Sequence, residues 1–137
     1  PVIAVLTGPA VGGGAQLAAA SDLRIAGPGA RLRWIGPPGL DLAVGAWLLP
    51  DLVGRATAMD LVLTGRWLEA AEALALGLVN RVCDDPEPVA AALAADLTDR
   101  GAGAGVKAVM AAGGVLDRLR AERAANRSAW ARVLAAP

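Results

Sequence analysis

The chain is 137 residues long and 55% apolar, with thirteen basic and thirteen acidic residues and a formal net charge of zero. That is one domain's worth of sequence or less, and the charge balance gives no electrostatic case for a nucleic acid or an anionic membrane as partner. Histidine is absent and Cys83 is the sole cysteine, which excludes an internal disulfide, a His/Cys zinc site and any Ser-His-Asp or Cys-His nucleophile system.

In chain order, Val2–Leu6 is a short apolar run rich in β-branched residues and predicts a strand buried on both faces. A chain opening directly on such a strand reads as a fragment or a shortened gene product, and an unpaired edge there invites self-association. Residues 7–14 are predicted as loop, and Ala15–Ser21 as a short helix, since Ala, Gln and Leu favour one. Asp22–Ala26 predicts a second strand ended by "GPG" at 27–29, and Arg31–Ile35 a third, stopped by "GPPG" at 36–39. From about residue 46 the spacing turns helical: "RATAMDLVLTG" sets Ala56, Met59 and Leu63 at helical intervals before Gly65. "EAAEALALG" repeats the scheme up to Gly77, and "LVNRV" at 78–82 reads as a strand. "DDPEP" at 84–88 precedes a helix over roughly 88–100, and "GAGAG" at 101–105 is a flexible joint. A short helix over Val106–Ala112 and a longer one over Val115–Leu134 follow. The last carries Leu116, Leu119, Trp130, Val133 and Leu134 among arginines 118, 120, 123 and 127, an amphipathic pattern suited to packing on protein. No apolar run reaches the length of a membrane span.

Gly12, Gly13 and Gly14 stand at the mouth of the first predicted helix. Backbone amides there are unpaired, the helix dipole favours negative charge, and glycine lets a ligand approach without a Cβ in the way. A phosphate loop needs Lys and Ser or Thr after its last glycine, whereas Ala15 and Gln16 follow. A dinucleotide fingerprint needs G-x-G-x-x-G, and the order here is G-x-x-x-G-G-G. A thioester oxyanion is the third ligand, for which one aimed amide is worth roughly 100- to 1000-fold in rate. The other reading is that the glycines merely permit close helix-to-strand packing.

The stretch "PVIAVLTGPAVGGGAQLAAASDLRIAGPGARL" resembles the signature region of the enoyl-CoA hydratase/isomerase (crotonase) superfamily, where a P-V-I-A strand leads through G-x-A-x-G-G-G into a short helix and then C/S-D-x-R-I-A. "LLPDLVGRATAMDLVLTGRWLEAAEALALGLVNRV" continues the likeness, so it is close over residues 1–83 and looser beyond. The resemblance implies an α/β fold: an incomplete crotonase-like ββα spiral core over 1–83, then a helical C-terminal region over 84–137. It also implies a homo-oligomer, trimer or hexamer, that takes a coenzyme A thioester as substrate or ligand with no permanently bound cofactor; the lone thiol fits a reducing cytoplasm, and no metal is expected without a His/Cys set. On that reading the Gly13 amide is one of two oxyanion donors, and Ala10, Gly12, Gly14, Gly36 and Pro37 adjoin the acyl-CoA.

This sequence departs from the family pattern in three ways. The portion that supplies the second oxyanion amide does not occur in it. Gln16 stands where the hydratases carry a glutamate, and an amide cannot take a proton from water at neutral pH. The position of the second glutamate falls near Gly36, between Ile35 and Pro37. Each acid–base group contributes about 100- to 10,000-fold, so ordinary hydration is expected to be badly impaired. Asp41 is either a lone base of an isomerase or a turn residue after Gly39. Two functions therefore compete: an enzyme of altered chemistry using Gly13, Gln16 and Asp41, and a non-catalytic acyl-CoA-binding or assembly module. Trp34, Trp47 and Trp67 are expected in the core, Trp130 at a subunit contact, and Lys107 on a solvated helix face rather than against a CoA phosphate.

Overall fold

A computed structural model describes residues 1–36, 45, 47–101, 103–111 and 114–135. The chain begins with β1 (Ile3–Leu6), turns at Thr7 and Gly8 into β2 (Pro9–Val11), and enters α1 (Gly13–Ala20). The same step recurs in β3 (Leu23–Ala26) and β4 (Arg31–Arg33). Next come α2 (Leu49–Val53), α3 (Arg55–Thr64), β5 (Leu68–Glu69), α4 (Ala70–Ala75) and β6 (Arg81–Val82). Three helices follow: α5 (Pro86–Asp99), α6 (Ala104–Ala111) and α7 (Val115–Leu134).

Successive steps stack on one another. Strand β1 pairs in parallel with β3, Ile3 opposite Leu23, and β2 pairs in parallel with β4, Pro9 opposite Arg31. Strand β6 extends the first sheet to the order β1-β3-β6, and β5 closes the second, β2-β4-β5, antiparallel to β4. Each turn of the coil therefore contributes one short strand to each sheet. Leu32, Trp34, Leu49, Leu61, Leu68 and Leu78 fill the space between them and are fully buried. Helix α1 lies on this core through Ala15, Ala18 and Ala19, whose small side chains bring its backbone close.

Several expected bounds change, for identifiable reasons. Residues 7–14 are not all loop, because β2 finds a partner in β4, and Pro9 opens it where a missing N–H is tolerated. Strand β1 is not buried on both faces: Val2 is 55% and Val5 36% exposed, and β3 is its one strand partner among the described residues. The third expected strand stops at Arg33, and "LVNRV" shortens to Arg81–Val82 while Leu78 and Val79 turn into the core. Helix α5 starts earlier than expected, at Pro86, because a first helical position needs no N–H. Gly65 does end α3, left-handed at φ +58°, its N–H bonded to Leu61 O at 3.1 Å.

Trp34 is buried, as expected, whereas Trp67 is half-buried with the Arg31 guanidinium 4.2 Å from its ring centre. Lys107 is not simply solvated. Its Nζ meets Asp22 Oδ2 at 2.8 Å, and the same carboxylate oxygen accepts from the Val2 N–H at 2.6 Å, so α6 is tied to the entry of β3. Partial burial pushes the Asp22 pKa up, but the hydrogen bonds from Lys107 and Val2 outweigh it and leave the carboxyl below its ordinary value. A depressed carboxylate stabilises the fold fully above its unfolded pKa, about 3.9, and loses that contribution as pH falls through the folded value. Urea melts of Asp22→Asn and the parent chain are therefore expected to differ at pH 7 and to converge below about pH 4. A difference that persists unchanged to pH 3 would rule out the charge as its source.

Candidate functional site

The three glycines have separate jobs. Gly12 holds φ +55° and ψ −115°, a conformation that side chains other than hydrogen rarely adopt. A Cβ there would stand 2.8 Å from Ile35 O, and the Gly12 N–H donates to Arg33 O at 2.8 Å. Close packing between α1 and the end of β4 thus accounts for the first glycine. Its amide is consumed in that contact.

Gly13 and Gly14 differ. Both are exposed, and a Cβ at either would meet nothing within 4 Å, so packing among the described residues does not require glycine there. Gln16 N makes the first helical bond, to Gly12 O at 3.0 Å. The N–H groups of Gly13 and Gly14 precede it and have no hydrogen-bond partner among the described residues. The first turn of α1 contains no acidic residue and no side-chain cap, so its positive end is uncompensated from within the helix. Such an end suits a partly negative oxygen.

Ala10 lies one strand away on β2, half-buried and opposite Leu32. Gly36 is half-buried just beyond β4. Pro37 and Asp41 lie outside the described residues.

Gln16 is one turn into α1, and its side-chain Nε2 donates to Glu122 Oε1. Glu122 comes from α7, more than a hundred residues later, and is only 8% exposed. Its Oε2 accepts from the Trp47 N–H at 3.1 Å, near the entry to α2. Arg118, one turn earlier on α7, meets Asp51 of α2 at 2.6 Å. The site thus gathers an open amide at Gly13, a carboxamide at Gln16 and a buried carboxylate that sequence reasoning did not single out. A signal existed: Leu119, Glu122 and Asn126 follow helical spacing and are the inward-turned stretch of α7. Leu116, Trp130 and Leu134, read from the sequence as part of the apolar face of α7 with Trp130 at a subunit contact, are 65%, 45% and 80% exposed in the single chain. Among the described residues no group of three or more His, Cys, Asp or Glu gathers where a metal could bind, and no helix is long and apolar enough to cross a membrane.

Comparison with known proteins adds to this geometry. A family model described as enoyl-CoA hydratase/isomerase matches residues 1–130. The protein named "Probable enoyl-CoA hydratase echA8" in Mycobacterium leprae is 44% identical over 105 residues, which cover 72% of this chain and 40% of that protein. Among solved structures, an enoyl-CoA hydratase from Mycobacterium avium subsp. paratuberculosis superposes with a TM-score of 0.83 at 30% identity, over 100% of this chain and 58% of its own. A monofunctional enoyl CoA isomerase from M. smegmatis does so with a TM-score of 0.66 at 34% identity, over 100% of this chain and 58% of its own. The chain therefore spans less than two thirds of the length of each of these relatives.

Proposed function

The chain belongs to the enoyl-CoA hydratase/isomerase family and carries part of the crotonase fold, and from that premise we propose that it engages an acyl-CoA thioester, with the Gly13 N–H facing the thioester oxygen. One observation carries the reading: Gly13 is an exposed residue at the start of α1, and its N–H is unpaired among the described residues. A carbonyl oxygen placed there accepts one preorganised hydrogen bond and feels the positive helix end, and both interactions strengthen as an enolate develops. Gly14 leaves the approach open, and Ala10 and Gly36 are assigned to it in the role the family resemblance implies. No permanently bound cofactor is invoked.

A second reading, acyl-CoA binding without turnover, draws on Gln16 and Gly36 standing where the hydratases carry their paired glutamates. Neither side chain exchanges a proton at neutral pH, so addition of water to a conjugated enoyl thioester is expected to be weak in either case. Assembly into a cytoplasmic homo-oligomer, a trimer or hexamer, belongs to the same proposal. The exposed Leu116, Trp130 and Leu134 support it.

Titration calorimetry with a saturated acyl-CoA tests the shared element, because such a ligand needs the oxyanion contact but no chemistry. Saturable heat that free coenzyme A does not reproduce is the expected result. A folded chain that gives none overturns the thioester reading.

A further inference from the structure

We propose that β1 is a self-pairing strand: two copies of this chain join β1 to β1, antiparallel, about a two-fold axis at Ala4. The inference does not rest on the acyl-CoA reading above. The Asp22 N–H donates to Val2 O at 2.9 Å and the Gly27 N–H to Leu6 O at 2.8 Å, so the backbone groups of Val2, Ala4 and Leu6 turn toward β3. Those of Ile3 and Val5 alternate with them and turn to the opposite edge, where they have no partner among the described residues. A cleft opens on each face of that edge. One, of about 480 Å³, runs between β1 and α5 and is lined by Ile3, Val5, Ala90, Ala91, Ala94 and Leu97. The other, of about 450 Å³, lies against α1 with Ala4, Leu6, Leu17 and Ala18 in its walls. An unpaired backbone edge between two apolar clefts fits an added strand whose side chains are apolar on both faces.

The chain carries such a strand in β1 itself, Ile-Ala-Val-Leu, with Val2 before it. Among the described residues Glu87 is the one charged residue lining either cleft, and a net charge of zero leaves no overall repulsion between copies. The register follows from which backbone groups are free. Setting Ile3 opposite Val5 of the second copy, and Val5 opposite its Ile3, lets each pair exchange both N–H···O bonds. Ala4 then faces Ala4 at a non-hydrogen-bonded position, where the Cα atoms come within about 4.5 Å and a small side chain suits the approach. The order β6-β3-β1 of one copy continues into β1-β3-β6 of the other as a single sheet. A bare pair of strands is marginal in water, but here the side chains of each β1 enter the clefts of the other copy and add apolar burial, Val2 and Val5 included.

Sedimentation of the full chain at tens of micromolar, with amide hydrogen exchange alongside, tests the contact. An even number of chains per particle is expected, with exchange at Ile3 and Val5 slowing as concentration rises. Val5→Pro removes a cross-strand donor at a position where edge strands accept proline. Because the axis repeats each loss, it is expected to weaken the pairing by about 10-fold or more. Should that variant lose its cooperative melt, Val5→Lys, which sets a charge on the edge, decides the matter. Trp130→Ser on α7 is the control and should leave exchange at Ile3 and Val5 as in the parent. The register is read separately, in chains carrying Cys83→Ser. Ala4→Cys is expected to oxidise to a linked pair, since about 4.5 Å between Cα atoms lies within disulfide reach. Val2→Cys is expected not to, its two copies standing about 14 Å apart. A parent that sediments as a single chain or an odd-numbered assembly overturns the proposal, whether the edge then stays open or takes a strand of another protein. Concentration-independent protection of Ile3 and Val5 overturns it too, because the edge would then be covered within one chain. Equal linking through Val2→Cys and Ala4→Cys overturns the register and the axis with it.

Discussion

Gly13→Pro is expected to weaken binding of a saturated acyl-CoA by about 3- to 10-fold, the range for loss of one hydrogen bond, while the chain still melts cooperatively near the parent temperature. The substitution deletes one hydrogen atom of interest. Gly13 is the first residue of α1, where proline is tolerated because its φ suits the helix and the N–H there has no helical acceptor. The residue before the new ring is Gly12, the type least restricted by a following proline. Gly13→Ala is the control. It keeps the N–H, and its Cβ would enter space with nothing within 4 Å among the described residues. Loss in the proline variant alone identifies the amide as the working group. Equal loss in both points to crowding of the approach, and parental affinity in both removes Gly13 from the site.

How far this arrangement could be read from the sequence depends on the range of the interactions involved. The β-branched run at 2–6, the glycine at 65 and the periodicity of residues 55–64 are local signals, and each element formed close to where it was expected. Strands β2 and β5 were missed because three- and two-residue strands carry no periodicity of their own. They exist because β4 lies between them and supplies hydrogen bonds to both. The glycine triplet was half legible. A run of glycines announces an unusual backbone, but only the approach of Ile35 O separates the structurally required Gly12 from the open Gly13 and Gly14. Glu122 was the least visible, since its partners Gln16 and Trp47 are distant in sequence and the arginines around it suggest a solvated face. A carboxylate in the inward register of an amphipathic helix is the pattern that would have exposed it.

The aim of the Gly13 amide also depends on how the far end of α1 is held, and Arg24→Met tests that dependence. Arg24 is 4% exposed, and its Nη1 donates to Ser21 O at 2.6 Å and to Ala19 O at 3.1 Å, with a longer bond to Ala18 O at 3.3 Å. Its Nε donates to Leu78 O, so one guanidinium binds the last turn of α1 to the segment entering β6. Burial pushes the Arg24 pKa down, partly offset by the charge of Asp22, yet arginine's reference value is so high that the group stays protonated. A cation at a helix C-terminus meets the carbonyls that the helix leaves unpaired and the negative end of its dipole. Methionine fills much of the arginine stem but donates nothing, so the carbonyls of Ala19, Ser21 and Leu78 lose this donor in a place water reaches poorly, while Ala18 O keeps the Ser21 hydroxyl at 2.6 Å. The expected cost is about 2–4 kcal/mol in a urea melt, several times that of an exposed arginine. Arg24→Lys should fall between, because one ammonium cannot serve carbonyls on both sides as the planar fork does. Helix α1 has only eight residues, so loosening its last turn should also disturb its first. Below its own melting range, Arg24→Met is therefore expected to bind a saturated acyl-CoA more weakly than the parent. Parental affinity despite the lost stability would mean that Gly12, fastened to Arg33 O, aims the amide without help from the other end of the helix.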